Sequence, residues 1–330
     1  KIERSYNIFK LICSTYNVYK IFVKHRYDVV HVHSPIASII GRIASKLARV
    51  PLIVYTAHGF YFHEEMNKIK YLFYFIIEKL LSYLTDLIFT QSNEDYNTAK
   101  KYKFMVKNRL FCIGNGVNVN KFNPKINNKI LLSYKRKMKI PESHFVVGVI
   151  CRLVREKGLV EFLNAAKNIK KQYSKVTFLV IGERLPSDYD KNVNKQLEEA
   201  KIKLNESLKL LGERNDIREL LGVMDLFCLP SWREGMPRTI IEAMMMSKPV
   251  IGTNIRGSRE LIIHKKTGLI IPVKNENKLK CGIEFFIRNK NKCKIYGLNG
   301  FKIARKNYDE DKIVLKQINL ISKTFLHKNI

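Results

Sequence analysis

The sequence predicts an α/β fold of two doubly wound units, and three observations carry that expectation. Short apolar, β-branched runs alternate with segments of helical periodicity along almost the whole chain, the pattern of parallel strands joined by crossover helices. A lysine- and asparagine-rich stretch, residues 123–141, interrupts this alternation and is bracketed by Pro124 and Pro141. At 330 residues the chain has length for two domains of ordinary size, each with its own core.

The first unit is expected over residues 1–122. A helix runs to about Arg26, with Ile8, Leu11, Ile12 and Tyr16 on one face. Tyr27-Asp-Val-Val-His-Val-His33 is a β-branched strand that ends at the turn Ser34-Pro35. Residues 36–50 read as helix, 51–56 as strand and 69–84 as a long helix with an almost continuous apolar and aromatic face. A third strand at 86–90, a helix at 93–103 and a fourth strand at 109–113 follow, closing on Gly114-Asn-Gly116. Residues 123–141 are the expected linker, with room for a short helix within it. The second unit, 142–311, has strands at 145–150, 176–181, 208–211, 226–229, 249–253 and 268–271. Its helices fall near 159–173, 193–203, 217–224, 237–246, 258–263 and 278–289. The tail, 312–330, is expected to be a helix returning to the first unit.

Composition narrows the functional classes. No apolar run approaches the roughly 18 residues that a membrane span needs, and no secretory leader pattern opens the chain. The six cysteines are scattered without a Cys-x-x-Cys, so they suit small buried hydrophobes better than a disulfide or zinc framework. The outlier is charge: 60 Lys and Arg against 29 Asp and Glu, a formal +31. That balance favours an anionic partner. No RNA-recognition, zinc-finger or helix-turn-helix pattern is present, so an anionic membrane surface is preferred and no nucleic acid is expected. The helix at 69–84, flanked by Lys68, Lys70 and Lys79, is a core element that could partly rest on a bilayer.

Ligands of open α/β sheets bind at the carboxyl ends of the strands, and the candidate polar residues cluster there. His33, His58 and Asn115 follow strands of the first unit; Arg152, Lys157 and Glu234 follow strands of the second. Facing edges of two such units would close a cleft. Cys151-Arg-Leu-Val-Arg-Glu-Lys157-Gly158 sets cations between a strand end and a helix start, where an arginine fork and a lysine suit a diphosphate. Its plainer alternative is a solvated basic loop. In Ser231-Trp-Arg-Glu-Gly-Met-Pro-Arg-Thr-Ile-Ile-Glu242, Pro237 stands at the first turn of a helix whose buried face is Ile240, Ile241, Met244 and Met245. A loop that opens a helix offers free N–H groups to phosphate. Glu234 and Glu242 beside it suit hydroxyl donors, so a nucleotide sugar satisfies both features. The alternative is a capped helix with two solvated glutamates. His31 and His33 share a strand face, but no third residue has metal-ligand spacing. Asp188-Tyr-Asp190 reads as a solvated loop.

Together these motifs resemble the retaining glycosyltransferases of family GT4, which have the GT-B fold of two facing Rossmann-like domains. The most specific part is Glu234-Gly-Met-Pro-Arg-Thr-Ile-Ile-Glu242, similar to the family's Glu-x7-Glu motif. It continues through Lys248-Pro-Val-Ile-Gly-Thr253, Arg256-Gly-Ser-Arg-Glu260 and Thr267-Gly-Leu269. Val32-His-Ser-Pro35, Thr56-Ala-His-Gly-Phe60 and Gly114-Asn-Gly-Val-Asn118 resemble the bacterial subgroup that builds capsular polysaccharide, exopolysaccharide or lipid-linked oligosaccharide. The resemblance implies a nucleotide-sugar donor, UDP-linked, and a polyprenyl-linked or growing polysaccharide acceptor. It implies no cofactor, no metal, and a site on the inner face of the cell membrane.

The same resemblance implies roles for individual residues. Arg152 and Lys157 would hold the donor diphosphate as it leaves, and the segment Gly235, Met236, Pro237, Arg238 and Thr239 would add hydrogen bonds to the donor. Glu234 would meet the sugar hydroxyls or the charge developing at the anomeric carbon, Glu242 the ribose hydroxyls, and His58 the sugar and acceptor. His33 and Asn115 would lie on the acceptor side.

Two departures stand out. Nothing before Lys10 supplies the strand, Gly-rich turn and helix with which such chains begin, so the first domain is expected to lack them. After Gly182, Glu-Arg-Leu-Pro replaces a second glycine. Two alternatives remain at this point: a non-catalytic basic protein that binds nucleic acid or membrane, and a nucleotide-sugar epimerase of the same fold.

Overall fold

The computed structural model describes residues 8–185, 188 and 191–328. It divides into two compact units, Lys1–Asn115 with Asp311–Ile330, and Gly116–Glu310.

In the N-terminal unit, α1 (Ile8–His25) leads to β1 (Val29–His33), α2 (Pro35–Leu47), β2 (Leu52–Ala57), α3 (Lys68–Ser82), β3 (Leu87–Thr90), α4 (Asn93–Lys101) and β4 (Leu110–Cys112). The four strands form a parallel sheet in the order β1-β2-β3-β4, in register from Val29↔Leu52 to Thr90↔Cys112. β2 and β3 are buried at every position, as expected of strands covered on both faces. Alternate residues serve opposite faces. Val30, Val32, Ile53, Tyr55 and Ile88 join one cluster with Phe22 of α1 and Tyr71 and Phe75 of α3. Leu52, Val54, Leu87 and Phe89 form another. Within the first face Arg42 is fully buried, pairs with Glu78 at 3.0 Å and stacks over Tyr55 at 4.1 Å. The Tyr55 hydroxyl donates to the other oxygen of Glu78 at 3.1 Å. This network ties α2, β2 and α3 together.

The C-terminal unit begins earlier than the sequence suggested. The expected linker contains α5 (Asn128–Lys137), which packs on α8 and belongs to this unit; Ile126 and Leu131 lie against the core there. Beyond it run β5 (Phe145–Ile150), α6 (Leu159–Lys170), β6 (Val176–Ile181), α7 (Lys191–Leu204), β7 (Leu208–Leu210), α8 (Ile217–Val223) and β8 (Leu226–Leu229). These are followed by α9 (Arg238–Met245), β9 (Val250–Thr253), α10 (Ser258–Leu261), β10 (Gly268–Ile271), α11 (Glu276–Arg288) and α12 (Lys290–Asn307). α12 is absent from the sequence expectation. Its buried face is Cys293, Tyr296, Gly297, Gly300 and Ala304, mostly small side chains that a search for large apolar periodicity passes over. α13 (Glu310–Lys328) ends the chain; its Leu320, Ile321 and Phe325 cover the Leu52–Phe89 face of the N-terminal sheet.

The six parallel strands of the C-terminal unit run β10-β9-β8-β5-β6-β7. The order reverses between β5 and β8, so the chain leaves these two neighbours in opposite directions. The carboxyl ends at such a reversal are where open parallel sheets bind ligands.

Candidate functional site

The two loops at this switch point touch. After β5 a short 3-10 turn, Arg155–Lys157, ends at Gly158, whose φ of 68° is left-handed. A β-carbon on Gly158 would stand 1.9 Å from the carbonyl oxygen of Pro230, so only glycine lets the β5 and β8 loops meet. Lys157 is thereby delivered beside the β8 loop. Its Nζ donates to Glu234 Oε1 at 2.7 Å, and Ser231 Oγ donates to the same oxygen at 2.8 Å. The two charged side chains are 22% and 12% exposed, so little water competes for the pair. Ser231 is fully buried, and its carbonyl accepts the Thr253 hydroxyl from the end of β9. These bonds run from Thr253 to Ser231 to Glu234 and Lys157, across three strand ends. Both Lys157 and Ser231 donate to Oε1 of Glu234.

Trp232 braces the loop from outside. Its backbone N–H donates to Glu156 O at 2.8 Å and its indole N–H to Glu161 at 3.0 Å. Arg155 and Lys274 lie over the ring at 5.5 and 4.7 Å.

Beyond Glu234 the chain turns into α9. The helix begins at Arg238 and Pro237 is its N-cap residue, one position earlier relative to the helix than the sequence suggested. Proline caps without a side-chain bond, so the first N–H groups of the helix are free of that partner. Met236 and Pro237 are buried and Arg238 is exposed; the first two turn their side chains inward, and Arg238 pairs with Glu310 at 3.2 Å. Thr239 is half-buried. Gly235 is met by Gly257 (φ 77°), where a β-carbon would stand 1.8 Å from Gly235 O. Ile240, Ile241, Met244 and Met245 form the buried face. Glu242, one turn inside, is half-buried, and burial raises its carboxyl above the ordinary range against the pull of Arg238 and Lys121. A carboxyl in that state gains from a hydroxyl donor.

Arg152 lies on the other side of the β5 loop, with its guanidinium 3.0 Å from Asp188. Asp188 was expected to be solvated. It is instead 10% exposed and also accepts the Leu185 N–H at 2.8 Å, because the guanidinium and a free amide converge on it. Pro186, Ser187, Tyr189 and Asp190 lie outside the described residues. The loop after Gly182 is tied to its neighbour by Gly182 N–H to Gly212 O at 2.8 Å and Glu213 N–H to Glu183 at 3.2 Å.

In the N-terminal unit the strand ends bring three histidines together. His33 Nδ1 lies 3.0 Å from His58 Nε2, so one ring donates to the other. The His31 and His33 ring centres are 4.2 Å apart, and His31 Nε2 bonds the Thr56 hydroxyl at 2.7 Å. Burial, then the neighbouring His33 and His58, push His31 down to about 4; burial and His58 lower His33. Asn115 follows β4 at the same sheet edge, half-buried. Among the described residues no group of three or more His, Cys, Asp or Glu is arranged to hold a metal ion, and no helix is long and apolar enough to cross a membrane.

Sequence reasoning placed Arg152, Lys157 and Glu234 at strand ends and Glu242 a turn inside the helix that follows. It missed Ser231 and Thr253, whose only signal was position: a hydroxyl three residues before the glutamate for Ser231, and the last residue of β9 for Thr253.

Comparison with known proteins follows the same division. Residues 133–303 match the family model of glycosyl transferases group 1, and residues 5–121 match glycosyltransferase family 4. An Escherichia coli UDP-Gal:alpha-D-GlcNAc-diphosphoundecaprenol alpha-1,3-galactosyltransferase is 32% identical over 92% of this chain and 79% of its own. The capsular polysaccharide biosynthesis glycosyltransferase CapM of Staphylococcus aureus is 26% identical over 99% of this chain and 85% of its own. Among solved structures, Anabaena HepE in complex with UDP and glucose superposes with a TM-score of 0.81 at 23% identity, covering 97% of this chain and 84% of that one.

Proposed function

The chain belongs to glycosyltransferase family 4 and is a glycosyltransferase of the GT-B fold, and from that premise we propose that it moves a sugar from a UDP-linked donor to a polyprenyl-linked or growing polysaccharide acceptor. Transfer proceeds with retention and without a bound metal, at the inner face of the cell membrane. The observation that carries this reading is the Lys157–Glu234–Ser231 cluster at the β5/β8 switch point. The undecaprenyl-linked and capsular relatives support the acceptor class.

The chemistry needs charge stabilisation more than a covalent step. Lys157, Arg152 and the first N–H groups of α9 receive the diphosphate and stabilise it as it leaves. Arg152 exchanges Asp188 for phosphate. Glu234, held through Oε1, offers Oε2 to a sugar hydroxyl or to the positive charge growing at the anomeric carbon. Glu242 accepts from the ribose. The acceptor hydroxyl attacks on the face the diphosphate leaves, and its proton passes to the departing phosphate. The hydrogen-bonded His33–His58 pair serves the acceptor side.

Thermal shift with UDP, GDP and ADP sugars tests the donor, and mass spectrometry of lipid extracts tests transfer. UDP sugars are expected to stabilise the protein most, by about 2.7 kcal/mol at a hundred times Kd. Glu234→Gln is expected to lower the kcat of transfer by about 10²–10³ while the protein stays folded. Stabilisation by none of the three nucleotides would overturn the reading.

A further inference from the structure

α3 carries more apolar surface than its unit buries. Its inner side supplies Leu81 and Ser82 to the interior and Tyr71, Tyr74 and Phe75 to the core. On the outer side Ile69, Leu72, Phe73, Ile76, Leu80 and Tyr83 are 45–80% exposed. Their spacings of three and four place them in one stripe on a single helical face, about 21 Å long at the helical rise. Cations stand at both ends. Lys68 and Lys70 are exposed at the start. At the other end Tyr83 forms part of the wall of a pocket of about 560 Å³, whose apolar walls include Tyr96, Phe104 and Met105 and whose cations are Lys100, Lys103 and Arg109. No lining residue is acidic. Glu64 and Glu65 precede the helix and offset only the Lys68 end. Lys79, by contrast, is committed to the protein: its Nζ donates to Tyr102 O at 2.9 Å and to Lys103 O, which pins α3 over the pocket.

We propose that this face lies on an anionic phospholipid bilayer, with the stripe among the acyl chains and a headgroup phosphate in the pocket beneath Tyr83. Apolar length between two cationic ends is the arrangement of a helix resting in the plane of a membrane interface, and each cation near an anionic surface adds attraction. A second copy of the chain fits poorly. Two-fold pairing along α3 sets Lys68 and Lys70 of one copy against Lys100, Lys103 and Arg109 of the other, a like-charge contact. The inference deepens the proposed lipid-linked acceptor by naming the surface that meets its bilayer. Its vesicle-binding readout needs no acceptor or donor, so the two can fail separately.

Flotation with phosphatidylglycerol and phosphatidylcholine vesicles at low and high salt is the experiment. Because the whole chain is basic, low-salt binding alone does not discriminate. The expected result is binding to phosphatidylglycerol that partly survives high salt. Leu72→Ser with Phe73→Ser and Ile76→Ser should lose the salt-resistant fraction and keep its melting temperature and UDP-sugar stabilisation. Lys100→Glu with Arg109→Glu should weaken binding by roughly tenfold or more. A Phe73→Trp variant should be quenched by brominated lipid well beyond the native Trp232 signal. Wild-type binding by the serine variant, no quenching of the Phe73→Trp variant, or a dimer that the serine substitutions dissolve would overturn the proposal.

Discussion

Ser231→Ala removes one hydroxyl and tests whether Glu234 must be held to work. The Oγ–Oε1 bond is 2.8 Å long, its donor is fully buried and its acceptor side chain is 12% exposed. A hydrogen bond to a charged group contributes about 1.5–3 kcal/mol. Lys157 still grips the same oxygen at 2.7 Å, so the carboxylate loses orientation without being released, and the cost falls at the lower end. If all of it appears in the transition state, about 1.4–2 kcal/mol becomes a roughly 10–30-fold loss of kcat. The donor KM should move little, because the cations and α9 are untouched. Glu234→Gln serves as reference and should cost about 10²–10³ in kcat, the magnitude of losing one electrostatic contact in a closed site. The assay follows labelled sugar from nucleotide donor to lipid-extractable acceptor, with kcat and KM separated and melting temperature measured alongside. Ser231→Ala within about twofold of wild type, against a loss of 100-fold or more for Glu234→Gln, would refute the reasoning.

Other consequences follow from burial. Glu242 has a raised carboxyl pKa in the folded chain, so its contribution to stability is greatest at low pH and is lost as pH rises through the folded value. Ribose hydroxyls favour the carboxylate, so calorimetry should show UDP affinity falling as pH drops through that raised value, and Glu242→Gln should flatten the dependence. Glu78→Ala leaves the fully buried Arg42 without its carboxylate and should cost about 3–5 kcal/mol in urea unfolding. A loss below about 1 kcal/mol would mean the pair behaves as a surface bridge.

Much of this architecture was legible beforehand because it rests on local pattern. Val146, Val149, Phe178 and Val180 form strands wherever they are buried on both faces, and the Pro237–Met245 stretch opens a helix because its apolar residues recur at helical spacing. Arg152, Lys157 and Glu234 were found because each ends a strand, and strand ends share one edge of a parallel sheet. Other features depended on partners distant in sequence. Residues 123–141 looked like a linker until α5 met α8. α12 showed no large apolar face because its neighbour α9 approaches closely over glycines. Asp188 looked solvated until Arg152 stood beside it.

The sequence by itself determined two α/β units, a basic chain, and the residue types able to hold a diphosphate and a sugar. Only the tertiary structure decided that β5 and β8 are neighbours at the point where strand order reverses. That adjacency sets Lys157 and Glu234 at 2.7 Å across 77 positions of chain, with Ser231 and Thr253 behind them. The reason is physical. Periodicity records which face of an element is buried, whereas strand order is set by how the helices pack over the whole sheet. The cluster exists only once that order is chosen.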